Sequence, residues 1–295
     1  MDDEVLKVLV EGGCEIAKDL RCYRREYSLI KSCREIEKNL DQDSLCHPNY
    51  SPDNSTGRVY YSKPAIQQVP SELRQVVAAR EGKVFILADY KQIDVRMIIH
   101  FSKDRNLIGT FEREEDVYET LMKELRLVDR DVAKEIFLSI SYGRGCLSLS
   151  RSLHISQVEA QNYIDKFFKK YREVKNFIDD TIDDAFRVGY VRTLGGGEIE
   201  VDRNLSKSEM RKKAIARKIQ GSTADLVIRN AMAKVDDGIQ QFDSYLILQI
   251  HDELIIEVPV EAERDVGEIV KKKMEGAVRL NVPLRVDLTI GENWV

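Results

Sequence analysis

Two apolar runs in YLILQIHDELIIEVP, from Tyr245 to Pro259, flank the polar triplet His251, Asp252 and Glu253. Leu246, Ile247, Leu248 and Ile250 before it, and Leu254, Ile255, Ile256 and Val258 after it, are the branched aliphatic residues of short buried strands. The pattern predicts a hairpin with the triplet at its tip. Upstream the spacing is mostly helical. Within 4–40, Val5, Val8, Leu9, Ile16, Leu20, Tyr23, Tyr27, Ile30, Ile36 and Leu40 recur among charges, which predicts one or two amphipathic helices with an apolar stripe for packing. Val84 to Ala88 (VFILA) reads as a short buried strand that delivers Asp89 to a helical run through Gln92, Asp94, Arg96 and Ile99. Asp129 to Gly145 reads as a helix, with Asp129 as its N-cap and Gly143 or Gly145 as its terminator. Ser156 to Val188 opens on a capping box with Glu159 and carries Ile164, Phe167, Phe168, Tyr171, Val174, Phe177, Ile178, Ile182 and Phe186 as a core stripe. VRTLGGGEIEV then suggests a glycine-rich hairpin, and Ser208 to Lys234 another long helix. Residues 41–70 are loop-like, and such a length of irregular chain favours a site-lining role.

The 295 residues suffice for two closely associated subdomains. Forty-six basic against 51 acidic residues give a net charge of −5, which excludes a wholly basic nucleic-acid coat protein but not a locally basic cleft. Cys14, Cys22, Cys33, Cys46 and Cys146 are odd in number and include no Cys-x-x-Cys pair, so a reduced, cytoplasmic compartment is expected rather than a disulfide or zinc scaffold. No apolar run approaches the roughly eighteen residues of a membrane span, and the start lacks a signal-peptide pattern.

Several stretches carry candidate chemistry beside a plain alternative. Asp252 and Glu253 repel each other unless a cation sits close by, although a solvated turn would need neither. Asp89 suits a metal ligand held on a strand end, or a simple N-cap. Arg130 and Lys134 lie in the first turns of a helix, where cations oppose the dipole, which suits an amino end facing phosphate, although a solvated basic face is the commoner meaning of such a pair taken alone. Arg211, Lys212, Lys213, Arg217 and Lys218 crowd two helical turns and suit a phosphodiester backbone or plain solvent.

ADYKQIDVR (88–96), RDVAKEIFLSISYG (130–143) and QIHDEL (249–254), in this order, resemble the three polymerase motifs of family A DNA polymerases, the bacterial polymerase I type. TGR (56–58), QQVP (67–70), EAQNYIDKFFKKYREV, GYVRTL, QGSTAD (220–225) and GENW (291–294) extend the resemblance from about residue 20 to the end. It implies an α+β fold, an antiparallel palm sheet backed by helices with an inserted helical fingers domain. Residues 1–45 would then be a helical remnant of the thumb base, 46–100 and 201–295 the two parts of the palm, and 101–200 the fingers. The implied function is template-directed addition of dNTPs to a primer 3′-hydroxyl, with primer–template DNA as partner and two Mg²⁺ ions, replaceable by Mn²⁺, as cofactors. Asp89, Asp252 and the Tyr90 backbone carbonyl would hold metal, with Glu253 assisting. Arg130 and Lys134 would grip the triphosphate, Lys134 also protonating the pyrophosphate. Gln92, Asp94, Leu138 and Tyr142 would line the nucleotide, and Arg58, Arg74, Lys212, Gln220 and His251 would contact DNA.

Departures temper the match. Asp94 stands where the family has the Glu that excludes a 2′-hydroxyl, Leu138 replaces an aromatic, Ser139 a Gly, Ala216 an Asn, and GGGE (195–198) a basic Gly-Arg-Arg. Length leaves no room for a proofreading exonuclease or a full thumb, which implies low processivity unless another protein chain supplies them. A catalytically weak nucleic-acid clamp, as a subunit of a multi-chain polymerase, and an unrelated metal-dependent phosphotransferase or nuclease are the competing readings; neither explains the ordered motifs.

Overall fold

A computed structural model describes residues 3–52 and 58–294. Thr56 and Gly57 of the TGR motif lie outside the described residues. The chain is an α+β fold that groups into two units, one of Met1–Pro52, Val59–Phe85 and Gly291–Val295, the other of Asp53–Arg58 and Ile86–Ile290. All five cysteines are free thiols, and no helix among the described residues is long and apolar enough to cross a membrane.

In the first unit, the expected amphipathic helices are Asp3–Glu11 and Glu15–Lys38, and Asn49–Pro52 pairs antiparallel with Val59–Ser62. Leu6 and Ala17 are buried. The closing segment is fixed along 77–79, where Trp294 N–H donates to the Val77 carbonyl at 2.9 Å and Ala79 N–H to that of Glu292 at 2.8 Å. The packing expected of the helical stripe is corrected: Val5, Val8, Leu9, Ile16, Tyr23, Tyr27, Ile30 and Leu40 are exposed.

The second unit contains most of a four-stranded sheet ordered Tyr245–Ile250, Glu253–Pro259, Lys83–Tyr90, Val286–Gly291, the first two antiparallel. Leu254, Ile255, Ile256 and Val258 are fully buried, as their aliphatic run predicts. The helix Glu263–Glu275 buries Val266, Val270 and Met274, and the Tyr90 hydroxyl donates to the Met274 carbonyl at 2.8 Å.

Between the strand at Asp89 and the strand at Tyr245 the chain is almost wholly helical. Phe137 is the hub of an aromatic core, with ring centroids 5.9 Å from Tyr118, 5.4 Å from Phe167 and 6.3 Å from Tyr171. The single helix expected over 156–188 is two, Gln157–Lys170 and Arg172–Val188, because Tyr171 leaves helical geometry at φ −104°, ψ 65° to bury its ring. Asp104 is 2% exposed and accepts from the amides of Asn106 and Leu107 at one helix start and of Glu173 at another.

The helix expected over 208–234 starts from a Ser206–Glu209 capping box and runs as Lys207–Ala224, a π-helical stretch Asp225–Met232, and Ala233–Ile239. The widening begins where Asp225 turns aside to accept from the Gly195 amide at 2.9 Å and to pair with Arg229 at 3.2 Å. Gly221 lets the helix approach the Tyr190–Arg192 and Glu198–Glu200 hairpin, since a Cβ there would lie 2.8 Å from Thr193 Cγ2.

His100 Nδ1 accepts from the Asn281 amide at 3.3 Å, and partial burial, with Lys103 second, lowers its pKa. An unfolded imidazole takes its proton near pH 6.5, the folded one only at lower pH, so between the two the unfolded chain binds more protons. Stability is therefore expected to fall as pH drops through the window below about 6.5. His100→Gln should flatten that part of a denaturation-midpoint profile; an unchanged slope would exclude His100 as its source.

Candidate active site

The two predicted metal carboxylates sit at the ends of neighbouring strand systems. Asp89 is the penultimate residue of Lys83–Tyr90, whose buried Ile86, Leu87 and Ala88 fix its position. Asp252 belongs to a two-residue turn, because Ile250 pairs with Glu253. Such a turn matches strand twist when its first residue takes positive φ, and His251 does so at 56°.

The side chains meet electrostatically. Asp89 is pushed up to about 7, by partial burial first, then by the charges of Asp252, Glu253 and Asp287. Its side chain is nonetheless exposed on one side, so these neighbours act in a site open to solvent. Asp252 is also raised, by burial and then by Asp94, with Arg58 and His251 pulling the other way. Asp89 is not the N-cap of the following helix. That helix begins at Ile93 after Gln92, which takes left-handed geometry at φ 52° and makes no side-chain cap bond.

A second cluster adjoins through Gln92 and Asp94. The Tyr142 hydroxyl donates to Asp94 at 2.5 Å, and burial followed by that carboxylate raises its pKa. Asp116 caps the helix Val117–Leu125 by accepting from the Tyr118 and Glu119 amides. Its other oxygen accepts from Arg130 at 2.6 Å and from Gln92 Nε2 at 3.3 Å. The Arg130 guanidinium also lies 5.1 Å from the centre of the Tyr118 ring. Asp129 caps the helix Arg130–Ser141 by accepting from the Asp131 amide at 2.7 Å, and Gly143 ends it at φ 76°. Lys134 is exposed on this helix and Leu138 half-buried, while Ala133, Ile136, Phe137 and Ile140 face the core.

Other predicted contacts are dispersed. Arg74 belongs to the first unit, with its guanidinium 4.6 Å from the Trp294 ring centre. Gln220 is half-buried and Lys212 exposed on the helix Lys207–Ala224. The basic cluster there is largely structural: Lys218 lies 5.1 Å from the Phe101 ring, Arg217 donates to the Glu200 carbonyl, and Arg211 packs against Gly143. Sequence reasoning missed Asp116 and Asp287. Asp287 sits on the strand beside Asp89 and pairs with Lys91 at 3.0 Å, a placement only the sheet order reveals.

Among the described residues, no group of three His, Cys, Asp or Glu side chains converges as a metal cage. The donor set still fits Mg²⁺, which uses one or two carboxylates and completes its shell from water and substrate phosphate. A carboxylate whose proton affinity is raised by burial and by neighbouring carboxylates gains from a cation beside it.

A family model described as DNA polymerase family A matches residues 1–295, so the resemblance reaches the first residue rather than starting near residue 20. DNA polymerase I of Caldicellulosiruptor bescii is 37% identical, across 99% of this chain and 37% of that protein. DNA polymerase I of Pseudomonas aeruginosa is 32% identical, across 99% and 34%. The solved POL domain of Pol1 from M. smegmatis, in complex with DNA primer-template and dNTP, superposes with a TM-score of 0.93 at 27% identity, covering all of this chain and 56% of that one. The chain thus spans about a third of the length of these curated relatives.

Proposed function

The chain belongs to DNA polymerase family A, and from that membership we propose that it is a DNA-directed DNA polymerase, extending a primer 3′-hydroxyl with dNTPs. The observation that carries the proposal is that the charge of Asp252, far away in the chain, adds to burial in raising the pKa of Asp89. Nucleotidyl transfer needs carboxylates that converge from separate elements, and a strand end and a hairpin tip supply them.

Asp89, Asp252 and the Tyr90 carbonyl would hold Mg²⁺, with Glu253 adding negative charge beside them. Bound there, the metal would acidify the primer hydroxyl and stabilise the attacking and leaving oxygens. The remaining work falls to side chains. Arg130 and Lys134 project from the start of one helix toward the triphosphate, and Lys134 supplies the proton that the pyrophosphate takes on leaving. Arg130 must first exchange Asp116 for phosphate, an exchange of one charge-assisted bond for another. Tyr142 and Leu138 face the nucleotide and templating base, and Arg58, Gln220, His251, Lys212 and Arg74 touch DNA. In this reading 101–200 are fingers, and 46–100 with 201–295 are palm.

The direct test is primer extension with Mg²⁺ and dNTPs, and absence of template-dependent product would refute the proposal. Sugar selection follows separately. Asp94 is one methylene shorter than the family's Glu, and Tyr142 holds it by a single hydrogen bond. Discrimination against rNTPs is expected to be weak, and Asp94→Glu to raise it about tenfold or more, the usual worth of a methylene in a specificity pocket. Single-nucleotide insertion measures both; wild-type selectivity equal to that of the variant would remove Asp94 from this role.

A further inference from the structure

The side chains of the N-terminal helix Glu15–Lys38 fall on two opposite faces. Ala17, Leu29, Ser32 and Ile36 turn inward, where Arg21 pairs with Asp3 at 3.3 Å and Arg25 with Glu72 at 2.8 Å. On the outer face Ile16, Tyr23, Tyr27 and Ile30 are 80%, 64%, 58% and 48% exposed, with Leu20 half-covered between them. The spacing 16, 20, 23, 27, 30 alternates four and three, the a and d repeat of a two-stranded coiled coil. In that register Asp19 and Glu26 occupy g, and Arg24 and Lys31 occupy e. All four are exposed.

We propose that this face joins two copies of the chain in a parallel two-stranded coiled coil. Charge selects both the partner and the orientation. In a parallel pair each g residue meets the e residue five positions on in the other helix. Asp19 then faces Arg24 of the partner subunit, and Glu26 faces Lys31 of the partner subunit. An antiparallel pair would set g against g and e against e, acid on acid and base on base. The apolar surface itself is of interface type, since the Tyr23 and Tyr27 rings stack 6.1 Å apart and tyrosine is enriched at interface centres.

The seam is short, about 21 Å from Ile16 to Ile30 at 1.5 Å per residue, and ends where Arg34 takes the next a position. Free peptides of that length stay unfolded because helix nucleation is costly. Here Glu15–Lys38 is already helical in the folded chain, with Ala17 buried, so the ordering cost on association is smaller than for a free peptide.

Sedimentation equilibrium of the intact chain over a concentration series tests this. A monomer–dimer equilibrium is expected, with Tyr27→Lys raising the dissociation constant at least about tenfold and leaving the thermal midpoint of the monomer unchanged. Glu26→Lys should weaken the dimer, and adding Lys31→Glu in the same chain should restore it. A chain that sediments as a monomer throughout overturns the proposal, as does a dimer indifferent to Tyr27→Lys. Tightening by Glu26→Lys overturns the parallel arrangement, since an antiparallel seam would set the introduced cation against Asp19.

Discussion

Asp252→Asn is expected to reduce primer extension by at least about 10²–10³-fold, the cost of removing one electrostatic contact to a charge-developing transition state, while the protein stays folded. Asparagine keeps the size of the side chain and can occupy the same two-residue turn, so the backbone at His251 need not change. What is lost is the negative charge. That charge is one of three carboxylates that add to burial, the larger cause, in raising Asp89 to about 7. Its removal should therefore lower the Asp89 titration midpoint, a shift readable by carboxyl NMR. It should also leave stability equal or slightly higher, because a repulsive contact between like charges disappears. Lost activity with a lowered Asp89 midpoint and intact stability is the signature of a charge used for chemistry rather than folding. Near wild-type extension by this variant would end the assignment of residue 252 as a metal carboxylate.

Phe137→Ala carries the largest expected stability loss, about 3–5 kcal/mol out of a domain total of roughly 5–15 kcal/mol. Phe137 is fully buried and touches three aromatic rings from two other segments, Tyr118 on one and Phe167 and Tyr171 on the other, so truncation leaves a cavity that no single neighbour can fill. Thermal unfolding should shift down by roughly 6–20 °C. Phe168, half-exposed and stacked edge-on against Phe167 alone, is the control and should cost far less. Arg130 and Lys134 share the helix with Phe137 on a different face. Nucleotide affinity should consequently weaken only where the variant begins to unfold. Equal midpoints for the two variants would contradict the hub role of Phe137.

Local pattern predicted whatever depends on neighbours in sequence. The hairpin around Asp252, the strand ending at Asp89 and the Asp129 cap were all legible, because aliphatic runs, turn geometry and capping act within a few residues. The motif order identified the family, and with it the candidate site. Structure was needed where the partner is remote. Asp287 perturbs Asp89 across a sheet whose strand order joins residues about two hundred positions apart. Asp116 captures Arg130 from another helix start, and nothing in EREEDVYETL marks it among its acidic neighbours. Tyr171 broke a helix whose apolar periodicity runs unbroken through it, since burial of a large ring outweighed local propensity. The N-terminal stripe shows the converse: amphipathic spacing specifies a helix and a sticky side, but not what that side meets.

Asp104 joins the first turn of Arg105–Glu112 to the first turn of Arg172–Val188 through one carboxylate sealed from water. Pulling those helices apart would strand either a buried anion or an amide without an acceptor. A displacement of either helix that keeps these bonds therefore carries the other with it, with the pivot outside the pair.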